Sequence, residues 1–182
     1  MTRCKRWRPR LLHVIGVLMM SQLCSGDALA SEPLVVFLVR HAEKVDTSRD
    51  SDLSPAGRKR ADELGSVLRD VGLNHIHSSD FTRTRYTAAP IAGRLKLEVE
   101  LYDQTDLPAL VERLRLAGGR HLVVGHSTTT PKVVELLGGS ASTAIDEAGE
   151  FDRLYLVTVG TEGDVHTVLM RYGTPFQRDA VD

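Results

Sequence analysis

The segment PLVVFLVRHAEK, residues 33–44, decides the fold of this chain. Residues 33–39 are apolar and rich in valine, which predicts a strand buried in a parallel sheet. The run ends in Arg40 and His41, so a cation and an imidazole stand where the strand meets solvent. Because ligands bind at the carboxyl ends of strands in open α/β sheets, this edge is the candidate site.

An imidazole beside a guanidinium is suited to attack on phosphorus. Neutral His41 is a nucleophile, and the planar fork of Arg40 binds phosphate oxygens. The positive charge of Arg40 also disfavours imidazolium, which keeps His41 unprotonated near neutral pH. A single Arg-His pair equally fits a histidine on a solvated loop, so the interpretation depends on the other motifs.

Residues 1–30 have the composition of a secretory signal peptide. Five basic residues precede an apolar stretch from Leu11 to Cys24, and the sequence ALA at 28–30 is typical of a cleavage site. The apolar stretch is short for a bilayer crossing, so an uncleaved anchor is the alternative. We therefore expect residues 31–182 to form the domain, in a periplasmic or secreted protein.

Removal of that segment changes the composition of the chain. Cys4 and Cys24 are lost, so the domain is expected to rely on its core rather than on disulfides. Taking five basic and one acidic residue from totals of 23 and 24 leaves 18 and 23, a net charge of −5. This charge argues against nucleic acid or an anionic membrane as the partner, and we expect no stable membrane insertion after cleavage.

Strand-like runs alternate with amphipathic helical segments along the domain. Ser54-Pro55 is typical of a helix start, with the serine as N-cap. Further helices are predicted at 82–93, 106–116 and 130–137, and further strands at 74–78, 97–101, 121–124, 154–159 and 165–170. This order predicts an α/β fold, a three-layer αβα sandwich with a mostly parallel central sheet and a C-terminal hairpin.

Two more segments bring polar side chains to the same edge of the sheet. Strand 121–124 ends in Gly125, which permits close approach to a ligand, and in His126, ahead of a helix N-terminus that favours an anion. The strand at 74–78 leads into a helix that carries Arg83. Two arginines and a second imidazole around His41 form a pocket that can neutralise phosphoryl oxygens.

These motifs resemble the signature of the histidine phosphatase superfamily, also called the phosphoglycerate-mutase-like family. The arginine-histidine motif of that family matches residues 38–43. Its serine, arginine and threonine-alanine pattern matches Ser79, Arg83 and residues 87–88, and its glycine-histidine motif matches residues 125–126. The motifs follow the order of the family along nearly the whole domain.

The resemblance implies a histidine-phosphatase-like fold and a phosphatase for a small or medium phosphomonoester. It implies that His41 becomes phosphohistidine, while Arg40, Arg83 and His126 bind the phosphoryl group. His126 is expected to be catalytic as well, and water would then hydrolyse the phosphoenzyme. The implied partner is a small phosphorylated molecule, and the mechanism requires no metal or other cofactor.

The resemblance is weakest at the acid that protonates the leaving group. Many family members carry a glutamate at the end of the third strand, where this chain has Asp103, the residue we expect in that role. Asp106 nearby is better explained as a helix N-cap. Glu43 is expected to order the loop or to contact an arginine, with a direct proton role as the alternative.

Two other functions fit the same residues. A phosphohistidine (phosphoramidate) phosphatase needs less acid, because an imidazole leaves more readily than an alkoxide, although export argues against it. A phosphate-binding or sugar-phosphate-binding module without turnover is the other alternative. A mutase is not expected, since no evident insertion would protect the phosphoenzyme from water.

Other histidines have simpler interpretations. His75 and His77 share one strand face and could ligate a metal, but no third ligand is evident nearby. His121 and His166 are expected at the surface of their strands.

Overall fold

The apolar run behind Arg40 forms strand β1 (Leu34–Arg40), in which every residue except Val35 is buried. Burial on both faces is typical of a central strand of a parallel sheet. The computed structural model describes residues 32–177. The expected signal peptide, residues 1–30, lies outside these residues and stays a prediction.

The predicted elements are present, with shifted ends. In chain order after β1 they are α1 (Pro55–Val67), β2 (His75–Ser79), α2 (Thr82–Leu95), β3 (Val99–Tyr102), α3 (Leu107–Ala117), β4 (Arg120–Gly125), α4 (Thr129–Leu136), β5 (Arg153–Val159) and β6 (Val165–Arg171).

The six strands form one sheet in the order β3-β2-β4-β1-β5-β6. Strands β1 to β4 run parallel to one another, whereas β5 is antiparallel to β1 and β6 is antiparallel to β5. The predicted mostly parallel sheet with a C-terminal hairpin is confirmed. Because β1, β4 and β2 are parallel neighbours, Arg40, Gly125 and Ser79 end their strands at one edge.

Alternate residues of β1 contact two different helical layers. Leu34, Val36 and Leu38 belong to a core with α3 and α4. Phe37 and Val39 belong to a second core with α1 and α2. This alternation is the two-residue repeat of a strand, and it confirms the three-layer αβα arrangement.

Polar caps set two helix starts as predicted. The Ser54 side chain accepts the Gly57 N–H at the start of α1. Asp106 caps α3 by accepting the Ala109 N–H, which confirms its interpretation as an N-cap. Each cap satisfies one of the backbone donors that a helix start leaves free.

Helix α2 is longer than predicted, because it continues through Pro90 to Leu95. Beyond the proline, Ile91 and Ala92 are buried in the core with α1. This packing offsets the hydrogen bond that proline cannot donate.

In the described part of the chain, none of the helices has both the length and the apolar character that a membrane crossing requires.

The predicted surface position of His121 is wrong, because this imidazole is fully buried. It stacks on His75 with ring centroids 4.8 Å apart, and its Nδ1 lies 3.0 Å from Nε2 of His77. His166 is exposed, as predicted. Within residues 32–177, no group of three or more His, Cys, Asp or Glu side chains is placed to hold a metal ion. The three imidazoles stack on one another across the neighbouring strands β2 and β4.

The core is tested by a matched pair of leucine truncations. Leu64 is fully buried between α1 and α2, whereas Leu116 is 81% exposed. Leu64→Ala is expected to lower the free energy of unfolding by about 2–5 kcal/mol, because it removes buried methyl groups and leaves a cavity. Leu116→Ala is expected to change it by less than about 0.5 kcal/mol. Urea denaturation measures both, and equal losses would contradict the described packing.

Candidate active site

The site lies where β1 and β4 end side by side. The main-chain N–H of His41 donates to the Gly125 carbonyl at 2.8 Å, which extends the ladder between these strands by one bond. A cleft of about 530 Å³ opens at this edge. Its walls contain Arg40, His41, Arg83 and His126, so the structure brings the four predicted phosphate-site residues together.

His41 is held as a neutral ring with one free nitrogen. Its Nδ1 lies 2.8 Å from the Ala42 carbonyl oxygen, which can only accept, so Nδ1 carries the proton and Nε2 has a lone pair. Burial lowers the pKa of His41 to about 3, and the charge of Arg40 adds a smaller effect in the same direction. The sequence prediction named the arginine, but burial is the larger cause.

His126 is neutral as well, and both of its ring nitrogens have partners. Nδ1 lies 3.3 Å from Nη2 of Arg83, and Nε2 lies 2.9 Å from the Ser79 hydroxyl. Since the guanidinium can only donate, the ring proton belongs on Nε2, toward Ser79. Burial first, and then the charges of Arg83 and Arg40, lower the pKa of His126 to about 4. The rings of His41 and His126 meet edge to face, with centroids 5.4 Å apart.

Arg40 is a buried cation that forms no ion pair with a carboxylate of residues 32–177. Its Nη1 donates to the carbonyls of Asp146 and Glu150 at 3.0 and 3.2 Å, and its Nη2 donates to the Glu147 carbonyl at 2.7 Å. The guanidinium also lies over the Phe151 ring, 4.1 Å from the ring centroid. Burial is the main reason that the pKa of Arg40 falls to about 10, so the side chain remains charged at neutral pH.

Arg83 approaches the cleft from the first turn of α2. Its Nη1 donates to the Arg49 carbonyl at 2.8 Å, and its guanidinium lies 4.4 Å from the Phe81 ring centroid. The Thr87 hydroxyl, one turn later, accepts the Ala42 N–H at 2.9 Å. Helix α2 therefore positions both its own arginine and the loop that follows β1.

Two buried donors at the site have no hydrogen-bond partner among the described residues. They are the Nε atoms of Arg40 and Arg83. Within residues 32–177, the other buried side-chain atom of this kind is the Tyr172 hydroxyl. Buried donors are nearly always paired, and an oxyanion is the acceptor that suits guanidinium groups best.

Asp103 is not brought to the cleft, which corrects its predicted place beside the phosphate. Its carboxylate accepts the N–H and the hydroxyl of Thr105 at 2.8 and 2.7 Å in an exposed turn after β3. The side chain borders a separate depression with Asp106 and Arg113. The residue before it, Tyr102, is the one that points toward β4, and its hydroxyl donates to the Val124 carbonyl at 3.2 Å.

Glu43 contacts an arginine, as predicted. Its carboxylate accepts two bonds from Arg60 Nε, at 2.9 and 3.0 Å, and Arg60 also donates to the Tyr172 and Thr174 carbonyls. Glu43 therefore ties the loop after β1 to α1 and to the end of the chain.

Gly125 is required for a reason that the sequence did not predict. A Cβ at this position would lie 2.9 Å from both the Tyr102 hydroxyl and Thr129 Oγ1. Thr129 Oγ1 accepts the His126 N–H at 2.9 Å, so the space that glycine leaves lets this hydroxyl hold the backbone of His126.

Sequence reasoning also missed residues that support the site from a distance. Asp50 accepts the N–H and the hydroxyl of Thr82 at 2.6 and 3.0 Å, and so caps α2 from a loop more than thirty positions earlier. Glu150 and Arg153 form a buried ion pair beneath the loop that contacts Arg40. The Asp50 cap has no local sequence signal, because it depends on how distant segments fold together. Glu150 and Arg153 are three positions apart, but the sequence does not show that the pair is buried.

Comparison with known proteins agrees with this arrangement. Residues 36–106 match the model of the histidine phosphatase superfamily (branch 1). This region contains Arg40, His41 and Arg83. His126 lies outside it, between β4 and α4. The match supports the resemblance to the histidine phosphatase superfamily over the segment that carries Arg40, His41 and Arg83.

Curated relatives match over part of their length. The chain is 39% identical over 75 residues to a protein of Erwinia tasmaniensis named "Probable phosphoglycerate mutase GpmB". The aligned part covers 37% of this chain and 35% of that protein, so the chain spans about a third of the length of this relative.

Solved structures of the superfamily share the fold. The protein histidine phosphatase SixA complexed with tungstate superposes with a TM-score of 0.62 at 19% identity, covering 75% of this chain and 96% of that chain. Phosphoglycerate mutase from Bacillus anthracis gives a TM-score of 0.62 at 16% identity, covering 78% and 94%. These similarities confirm the predicted histidine-phosphatase-like architecture.

The protonation states of the two site histidines can be measured by NMR titration. The ring signals of His41 and His126 are expected to remain those of neutral imidazoles from about pH 8 down to about pH 5, because burial opposes the charged form. The same rings in the urea-unfolded chain should titrate near the ordinary value of about 6.5. A folded-state midpoint above pH 6 for His41 would contradict the described burial.

Proposed function

We propose that this protein is a phosphatase that hydrolyses a small or medium phosphomonoester through a phosphohistidine on His41. The observation that carries the proposal is that one cleft is lined by the guanidinium side chains of Arg40 and Arg83 and by His41, whose Nε2 is unprotonated. A phosphoryl dianion offers the acceptors that guanidinium groups bind and the electrophile that this nitrogen attacks.

In the first step, Nε2 of His41 attacks phosphorus, a P–N bond forms and the bond to the leaving oxygen breaks. The ring becomes cationic, and its Nδ1–H keeps the hydrogen bond to the Ala42 carbonyl, which favours that charge. Arg40 and Arg83 neutralise the phosphoryl oxygens. The phosphoryl group is a stronger acceptor than a neutral imidazole, so Arg83 would turn to it from Nδ1 of His126.

In the second step, water attacks the phosphohistidine, the P–N bond breaks and inorganic phosphate leaves. His41 returns to its neutral form. The negative charge of the bound phosphoryl group raises the pKa of nearby imidazoles, so His126 can take up a proton and donate to an equatorial oxygen. Residues 1–30 support export of this enzyme to the periplasm or the medium, which stays part of the proposal.

Turnover by the purified protein tests the proposal directly. The wild type is expected to release phosphate from para-nitrophenyl phosphate, and His41→Ala is expected to abolish this activity because it removes the nucleophile. His166→Ala, which changes an exposed histidine on β6, is the matched control and should keep full activity. Protein quenched during turnover in alkaline denaturant should carry a phosphate that is stable to base and released by acid, as expected of phosphohistidine.

Two results would contradict the phosphatase assignment. An inert wild type that still binds inorganic phosphate would favour the binding module without turnover. Transfer of the phosphoryl group to a second hydroxyl, rather than release as inorganic phosphate, would favour a mutase.

The carboxyl groups of the cleft favour a second candidate, a phosphoramidate phosphatase. Among residues 32–177, the carboxyl side chains that line the cleft are those of Glu43, Asp46 and Glu147. Glu43 is paired with Arg60, hydrogen bonds from Ser48 lower the pKa of Asp46, and Glu147 is exposed. A leaving-group acid needs a carboxyl that holds its proton at neutral pH, which burial provides, and none of these three is buried.

A comparison of leaving groups separates the two candidates. Without a general acid, we expect kcat/KM for a phosphoramidate or for para-nitrophenyl phosphate to exceed that for glycerol phosphate by about 100-fold or more. Asp103→Asn should change all three values by less than twofold, because Asp103 lies outside the cleft. A selective loss of glycerol phosphate hydrolysis in Asp103→Asn would restore Asp103 as the acid and the alkyl phosphomonoester as the substrate.

A further inference from the structure

The position of Arg40 depends on a short loop that contributes backbone oxygens. Its three side-chain hydrogen bonds all go to carbonyls of residues 146–150. Within the described chain, Arg40 forms no ion pair with a carboxylate. Carbonyl dipoles hold the guanidinium in place but do not cancel its charge, so the cation remains available to an anion in the cleft.

The loop itself is closed by the carboxylate of Glu150. The Glu150 N–H donates to the Asp146 carbonyl at 3.0 Å, and the Asp146 N–H donates to Glu150 Oε2 at 2.9 Å. Glu150 is 1% exposed. Its backbone oxygen thus contacts Arg40, while its carboxylate is directed to the base of the loop.

Arg153 fastens this closed loop to the sheet. Its Nε and Nη2 donate to the two carboxylate oxygens of Glu150 at 2.7 and 2.8 Å. Its remaining bonds go to the Thr143 carbonyl and hydroxyl, the Ala144 carbonyl and the Tyr155 hydroxyl. Arg153 is the first residue of β5, and the next residue, Leu154, pairs with Val39 of β1. Arg40 and Arg153 are therefore buried arginines on neighbouring strands, and the Glu150 carboxylate pairs with Arg153 rather than with Arg40.

We propose that Glu150 and Arg153 are a positioning pair for phosphoryl binding. The pair holds the carbonyls of residues 146–150 on the Arg40 guanidinium, and it binds the one buried carboxylate of that loop so that Arg40 keeps its charge for the substrate. This inference rests on the proposed role of Arg40 in binding the phosphoryl group. Glu150 and Arg153 act through Arg40 and do not touch the substrate.

Burial of the pair fits a constant role across the working pH range. Burial alone would raise the pKa of the Glu150 carboxyl, but hydrogen bonds from Arg153, from the Asp146 N–H and from Arg171 hold it at about 2. The carboxyl group is therefore charged at neutral pH, as its hydrogen bonds from Arg153 require.

The test uses Arg153→Lys, which keeps the positive charge but loses the planar fork and most of the bonds to the loop. Arg171→Lys is the matched control. Arg171 also donates to Glu150, at 2.8 Å, and to Asp152, yet it contacts no carbonyl of the loop and its side chain is 46% exposed. Both variants are compared with the wild type for KM and kcat on para-nitrophenyl phosphate and for the Kd of inorganic phosphate by calorimetry.

Arg153→Lys is expected to raise KM and the phosphate Kd together by about tenfold or more, because a displaced cation binds the anion less well in every complex, while kcat falls much less. Arg171→Lys should leave both constants within twofold. In an Arg40→Ala background, Arg153→Lys should have no further effect on the phosphate Kd, since the pair acts through Arg40.

The opposite results would overturn the inference. A lower melting temperature or a lower active fraction in Arg153→Lys, with unchanged KM and phosphate Kd, would mean that the pair serves stability alone. If Arg153→Lys does not fold, Glu150→Gln is measured by the same criteria. Failure of the proposed function gives a different result. A wild type that binds phosphate but is inert would refute turnover, and the phosphate Kd of the variants would still test the role of Glu150 and Arg153. A wild type that binds no phosphate refutes the positioning role as well.

Discussion

The arrangement depends on one buried positive charge that forms no direct ion pair with a carboxylate in residues 32–177. Arg40 ends a strand covered on both faces, and its guanidinium is stabilised by three backbone carbonyls and an aromatic ring. Burial of an ion is costly unless polar groups surround it, and carbonyl oxygens supply that stabilisation without cancelling the charge. A carboxylate in their place would form a stable ion pair and leave little attraction for a phosphoryl dianion.

The same burial keeps the neighbouring imidazole neutral. His41 follows Arg40 on the chain, and the low dielectric that makes the arginine attractive to anions also disfavours imidazolium at His41 and His126. One physical condition, removal from water, therefore supports both of the proposed roles, the charge of Arg40 that would bind a phosphoryl group and the lone pair of His41 that would attack it. The end of a central parallel strand provides this condition, because helices cover both of its faces.

Most of the fold could be predicted from the sequence, because its signals are local. The apolar run of β1, the Ser54 cap and the alternation of strands with helices determine the layers and the mixed sheet. The meeting of Arg40, His41, Arg83 and His126 follows from the rule that parallel strands end at one edge. Long-range contacts could not be predicted. His121 is buried where His75 and His77 of the neighbouring strand stack beside it. The place of Asp103 outside the cleft depends on the path of the turn after β3, which the motif alone does not specify.

The loop of residues 44–52 has two roles in the structure, because it lines the cleft and also supports Arg83 and helix α2. Lys44, Asp46 and Thr47 line the cleft, whereas Arg49 and Asp50 in the same loop hold Arg83 and the start of α2. Evolution or engineering of a new preference therefore has limited freedom in this loop. Under the proposed function, substitutions at positions 46 and 47 would alter the lining of the cleft and keep the contacts of Arg49 and Asp50. Replacement of the whole loop would also remove the contacts that hold Arg83 and the start of α2.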